Sequence, residues 1–228
     1  MQTIDAQPVA FQGANVRSEF IKKTYINLMS AIACFTLIEI IFFKTNIAFL
    51  IVNALSGNWM IAMIAFVIAG MAASRAAFMS HSKTTQYIAL YAYVLIEALI
   101  FTPILAYADF YAPGVIQSAA IVTLLAFGAL TAFVIMSKTD FSFLGSLLKW
   151  VSIMALVFIV AGALFGFQLG TLFSVGMVGL AGGYILYDTS NIIHHYPSDR
   201  YVGAALSLFA SVAMMFFYVL RIFLANRD

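Results

Sequence analysis

The sequence predicts an all-α polytopic membrane protein with seven transmembrane helices, and three observations carry that expectation. Of its 228 residues, 64% are hydrophobic and 9% charged, whereas a soluble domain carries about 25% charged residues. Crossing a hydrocarbon core of about 30 Å takes about 20 consecutive, mostly apolar residues in helix, and such stretches follow one another from Phe20 to Ala225. Stretches such as WMIAMIAFVIAGMAA (59–73) are apolar on every side, which argues against the short alternating strands of a transmembrane β-barrel.

Apolar runs between polar breaks place helices at 20–43, 58–77, 86–107, 114–136, 143–165, 169–195 and 201–225. The polar start, MQTIDAQPVAFQGANVRSEF, lacks the basic opening and short apolar core of a signal peptide. Residues 1–19 are therefore expected as a polar cytoplasmic segment and 20–225 as the transmembrane domain. The run IAFLIVNAL (47–55), between Asn46 and Ser56-Gly57-Asn58, is too short to span. It reads as an interfacial piece of the first outer loop.

Charge sets the orientation. With the N-terminus inside, Arg17, Lys22, Lys23, Arg75, Lys83, Lys138, Lys149 and Arg200 fall inside, and Lys44, Arg221 and Arg227 outside. The positive-inside rule favours this arrangement, hence a cytoplasmic N-terminus and, for seven spans, an external C-terminus. Two of the outside charges, Arg221 and Arg227, belong to the seventh span, so a re-entrant last segment is the alternative. All loops are short, which confines function to the helix bundle and its loops.

Other features exclude whole classes. The one cysteine, Cys34, lies inside the first apolar segment and cannot form an intrachain disulfide. A net charge of +2, scattered along the chain, gives no nucleic-acid footprint. No HExxH, GxSxG, Walker loop or CxxC pair is present, so no enzymatic activity and no cofactor are expected. Gly179 and Gly183 have the small-xxx-small spacing of close helix contacts, read as packing within one bundle.

Three carboxyl groups fall inside apolar stretches: Glu39, Glu97 and Asp188. An ionisable group at the bilayer centre costs at least ~2.5 kcal/mol on insertion scales and is read by default as functional. Glu39 lies close to Phe43-Lys44, where headgroups could solvate it, leaving interfacial solvation and a functional role evenly matched. Glu97, mid-span in YAYVLIEALIFTPIL, cannot reach the surface and points to a water-lined interior in preference to the alternative, a purely structural hydrogen-bonded acid. Asp188 opens a polar stripe at helical spacing, Tyr184, Asp188, Asn191 and His195, that descends to the cytoplasmic side. Ser207, Ser211, Tyr218 and Arg221 offer a matching face on the seventh span, with Met214 its one apolar member.

About 10 Å of helical rise separates Asp188 from His195, so the two cannot ligate one ion unaided, and no firm metal site is expected. His194-His195 sits at the membrane boundary, where imidazole protonation near neutral pH could modulate the site. Two interfacial histidines without a role are the equally weighted alternative. A single intramembrane aspartate also leaves an aspartyl intramembrane protease without its second acid.

The chain resembles the Bax inhibitor-1 family, also called the transmembrane Bax inhibitor motif family. The resemblance rests on GGYILYDTSNIIHH (182–195), ALSLFASVAMMFFYVLRIF (205–223), KTDFSFLGSLL (138–148) and FTPILAYA (101–108), and runs from about Arg17. It implies six helices around a central seventh, with a cation leak or calcium homeostasis as the activity. It also implies a pair of aspartates on the sixth and seventh spans that share a proton and latch a pore. Asp188 matches the first of the pair. The second departs: relatives with the full pair read like SLYLDFINLF, and this chain reads SLFASVAMMF, with Ser211 at the acid position.

The resulting expectation is an inner-membrane, pH-sensitive calcium or proton leak or sensor centred on Asp188. Glu97 would be a compensating second acid, with Ser211, Asn191 and His195 beside the path and Arg75 and Arg221 as charge partners. Calcium enters only as a permeant ion, meeting Asp188 and Glu97. The alternative, also drawn from the resemblance, is a non-conducting modulator that binds a membrane protease complex or another integral protein, with residues 1–19 the segment to serve it.

Overall fold

The computed structural model describes residues 7–57, 59–137 and 139–226. Lys138 and Arg227 of the charge count, Asn58 of the first outer loop and residues 1–6 of the N-terminal segment lie outside the described residues. The helices are α1 (Ala14–Lys44), α2 (Ile47–Ser56), α3 (Trp59–Met79), α4 (Lys83–Tyr111), α5 (Val115–Ser137), α6 (Leu144–Phe165), α7 (Thr171–His194) and α8 (Tyr201–Ala225), with no strand among the described residues. Seven are long and apolar enough to cross a membrane, and α2 is the short apolar one. The protein is thus an all-α, multi-pass membrane protein.

Hydropathy misplaces the start of the first span. Helix α1 begins at Ala14 rather than Phe20, because polar residues continue a helix as readily as apolar ones and Glu19 pairs with Lys23 one turn on at 2.8 Å. At 1.5 Å per residue, its 31 residues reach about 46 Å, longer than the hydrocarbon core. Asn46 then takes a left-handed conformation (φ 60°) to turn the chain into α2. Helix α6 stops at Gly166, whose φ of 74° closes the helix with an N–H bond to Gly162 O at 2.9 Å.

Packing divides the chain into two units, Met1–Tyr107 with His195–Phe209, and Ala108–His194 with Ala210–Asp228. In the first, Phe35 meets Phe101 edge-on at 5.3 Å and Phe209 at 6.2 Å, and Tyr93 meets Phe209 at 6.2 Å. Leu28, Leu90, Val94, Leu206 and Leu208 are fully or almost fully buried. The N-terminal segment is not a free tail throughout: Val9 is buried, its N–H donates to Tyr196 O at 2.9 Å, and Pro8 bridges Pro197. That strap and the α7–α8 connector therefore lie on one side of the membrane, as six intervening spans require.

In the second unit, α7 packs on both α5 and α6. Leu148, Ala155, Met177, Leu180 and Tyr218 form its core. Glycines set the approach of α6 to α7: a Cβ on Gly145 would lie 2.7 Å from the Tyr187 ring, and one on Gly183 2.7 Å from Leu148 Cδ2. Gly179, the other member of the small-xxx-small pair, meets nothing within 4 Å.

Gly145→Ala is accordingly expected to lower stability by about 1–3 kcal/mol, the usual cost of overpacking. Gly179→Ala is expected to be neutral or slightly stabilising. Thermal unfolding of both variants in detergent checks the contrast, and equal midpoints would contradict this packing.

Candidate functional site

The sixth span loses its apolar character toward its C-terminal end. Asp188, Thr189, Ser190 and Asn191 are all buried, and four consecutive residues stepping 100° apart go round the whole helix. This turn of α7 is therefore enclosed on every side, and each polar atom needs a partner from protein or solvent.

Asp188 finds one in α8. Ser211 Oγ donates to Asp188 Oδ2 at 2.7 Å, with both residues 5% exposed. Among the described residues no lysine or arginine forms a salt bridge with Asp188. A hydroxyl donating to a carboxylate contributes about 1.5–3 kcal/mol, less than the several kcal/mol that burying an uncompensated charge costs. Nearby, Thr189 Oγ1 and Asn191 Nδ2 are buried without a hydrogen-bond partner, which makes this the most polar and least satisfied turn of the span.

The expected stripe splits. Tyr184 bonds Ser152 Oγ on α6 at 2.9 Å, while Asp188 turns to α8. His195 is exposed and is the residue that follows α7, which ends at His194. Glu97 belongs to the other unit, where it is 5% exposed with Tyr93 one turn earlier on the same helix. Glu39 is 6% exposed and accepts from Thr102 at 3.3 Å, so of its two evenly weighted readings the headgroup-solvated one does not hold: α1 packs this carboxyl inward.

Of the two expected charge partners, one is tied to a backbone carbonyl and the other is exposed. Arg221 Nη2 donates to Leu169 O at 2.9 Å and lies 5.9 Å from the Tyr218 ring centre, tying down the connector before α7. Arg75 is exposed and forms no salt bridge among the described residues. Ser207 falls in the first unit, and Met214 packs against the apolar core of the second.

One network escaped the sequence reading. Ser190 Oγ accepts from Phe141 N at 2.8 Å and donates to Asp140 Oδ1 at 3.0 Å, and Asp140 Oδ1 also accepts from Ser142 N at 2.9 Å. His194 Nδ1 lies 3.0 Å from Ser190 O and 3.4 Å from Ser190 Oγ. Because the single Ser190 proton goes to Asp140, Nδ1 faces two acceptors and is assigned the proton. Serine, histidine and aspartate meet here without forming a catalytic relay, since the hydroxyl is buried and donates to the acid. The network pins the α5–α6 loop to α7 one half-turn past Asp188. Its sequence signal was the Asp-x-Ser turn in KTDFSF, a side chain capping its own backbone two residues on.

No three His, Cys, Asp or Glu side chains come together as a metal site among the described residues. A family model described as inhibitor of apoptosis-promoting Bax1 matches residues 17–228. The chain is similar to Bax inhibitor 1 of Schizosaccharomyces pombe, 33% identical over 155 residues covering 65% of this chain and 56% of the relative. It is also similar to Protein LIFEGUARD 4 of Arabidopsis thaliana, 36% identical over 139 residues and 55% of each chain. The Golgi anti-apoptotic protein of vaccinia virus is 31% identical over 119 residues, 50% of this chain and 48% of the relative. The chain thus spans about half the length of the curated relatives it matches.

Ser211→Ala leaves the buried Asp188 carboxyl without its donor and is expected to lower stability by about 1–3 kcal/mol. Ser211→Ala combined with Asp188→Leu, which removes both polar partners, is expected to recover part of that loss. A double-mutant cycle by thermal unfolding checks the coupling, and additive effects would show that the two side chains do not interact.

Proposed function

The chain belongs to the Bax inhibitor-1 family, and we propose that it is a pH-sensitive cation leak or sensor, for calcium or protons, centred on Asp188. The observation that carries the reading is an enclosed carboxyl that accepts a hydrogen bond from one hydroxyl, Ser211, at 2.7 Å. Such a group has two states that the surrounding helices feel differently. As a carboxylate it accepts a charge-assisted bond from Ser211, and as an acid it makes a bond about half as strong. Protonation thereby loosens the tie between α7 and α8, and ionisation places a negative charge that attracts a passing cation.

The Ser190–Asp140 network gives this change somewhere to go. It fixes the α5–α6 loop to the turn that follows Asp188, so a shift of α7 is felt at the membrane surface. In this reading the two-acid latch that the family resemblance implies is replaced by an acid–hydroxyl latch. The orientation goes with it: plasma (inner) membrane, N-terminus cytoplasmic, supported by the lysine and arginine bias. No cofactor, nucleic acid or catalytic step forms part of the proposal.

A second reading, a non-conducting modulator that binds a membrane protease or another integral protein, draws on a different observation. The N-terminal strap is anchored by buried Val9 yet leaves Phe11 80% exposed, an aromatic side chain presented beside the membrane. The names of the relatives, Bax inhibitor and anti-apoptotic protein, likewise describe an effect on other proteins or on cell fate.

Reconstitution into liposomes containing a calcium dye separates the two. The leak reading expects flux whose pH dependence between about pH 6 and 8 is abolished by Asp188→Asn, which fixes the neutral state. Flux absent throughout that range, or identical in the variant, would sink it. Ser211→Asp rebuilds a two-acid pair and is expected to move the pH midpoint of the flux, while an unmoved midpoint would argue against the latch.

A further inference from the structure

The N-terminal strap and the first turns of α1 border a cleft of about 440 Å³. Ala14, Arg17, Ser18 and Ile21 line one wall, and Ala10 and Gln12 of the strap line the other. The four α1 residues follow i, i+3, i+4, i+7 spacing and so form a single face of the helix. The strap wall is held by its own bonds: Val9 N–H donates to Tyr196 O at 2.9 Å, Gln12 N–H to Val9 O at 3.1 Å and Gln12 Nε2 to Gln7 O at 2.9 Å.

Arg17 is the one charged residue in the lining. Glu19, its nearest acid in sequence, pairs with Lys23 at 2.8 Å, and among the described residues Arg17 forms no salt bridge. A guanidinium offers a planar fork of N–H donors that matches the oxygens of a phosphate. Ser18 and Gln12 add neutral side chains able to bond hydroxyl groups. With no acid in the lining, the ammonium of a zwitterionic headgroup finds no counter-charge there.

Depth distinguishes a lipid from a soluble anion. Helix α1 ends at Lys44, and a hydrocarbon core of about 20 residues counted back from Phe43 begins near Thr24. At 1.5 Å per residue Ile21 then stands about 5 Å and Arg17 about 10 Å outside that core. The headgroup layer on each side is ~5–8 Å thick, and the long stem of an arginine lets its charge settle within it. Phe11, between the two strap residues of the lining, is 80% exposed, and an exposed aromatic ring beside a membrane anchors in the same layer.

We propose that this cleft binds the headgroup of one anionic glycerophospholipid of the phosphatidylglycerol type. Arg17 takes the phosphodiester, Ser18 and Gln12 take the headgroup hydroxyls, and Ala14 and Ile21 pack on the glycerol and the start of the acyl chains. A lipid held between the two walls fastens the strap to α1, and with it the connector that Val9 holds through Tyr196.

Native mass spectrometry of the full chain in detergent, titrated with dioleoylphosphatidylglycerol or dioleoylphosphatidylcholine, tests this. One phosphatidylglycerol is expected to be retained about tenfold more tightly than phosphatidylcholine. Arg17→Gln is expected to abolish that preference, and Ala14→Trp, which fills the cleft without changing its charge, to do the same. Lys22→Gln removes a positive charge from the same stretch of α1 outside the cleft and is expected to leave most of the preference. Inorganic phosphate in excess is expected to leave the lipid bound, and displacement by phosphate would overturn the lipid in favour of a free anion. Equal losses in Arg17→Gln and Lys22→Gln would show diffuse attraction to a basic surface and overturn the site, as would a preference that survives both Arg17→Gln and Ala14→Trp.

Discussion

A carboxyl group that must stay inside a lipid-embedded bundle needs partners that water would otherwise supply, and the hydrogen bond from Ser211 to Asp188 at 2.7 Å is the clearest answer here. It joins the last turns of α7 to the middle of α8, in a unit where α7 already packs on α5 and α6. A serine can satisfy one oxygen of a carboxylate and no more. The helix around Asp188 is therefore held tightly in position and loosely in charge, a combination suited to a group that changes protonation.

The rest of the second unit serves that position. Gly145 and Gly183 remove side-chain bulk where α6 meets α7, so the helices approach closely enough to exclude lipid and close the core around Tyr218 and Met177. Ser190 then fastens the α5–α6 loop through Asp140 and the Phe141 N–H. The first unit carries acids of its own: Glu97 has Tyr93 one turn earlier on the same helix, and Glu39 accepts from Thr102 at 3.3 Å. Buried acids in this chain are met by hydroxyl groups, and the described arginines 75 and 221 do not pair with them.

Much of the fold was legible because lipid imposes one rule, a long apolar helix for each crossing. All seven spans and the short α2 follow from hydropathy. The misplaced start of α1 shows where that rule ends, since a polar helix beyond the membrane has no hydropathy signal. Asp188 and Ser211 were legible from the family pattern and helical spacing together. Glu39 stayed balanced between two readings because depth along the sequence does not reveal which way a side chain faces. The Asp140–Ser190 network joins residues distant in sequence, a pairing no local pattern encodes.

The central claim is that the protonation state of Asp188 sets the contact between α7 and α8. Spin labels on the two helices of the second unit, with distances measured across neutral pH in nanodiscs, read that contact directly. The account predicts a pH-dependent change of distance in the wild type and a fixed distance in Asp188→Asn. A wild-type distance that does not move with pH, or an equal movement in the variant, would contradict it.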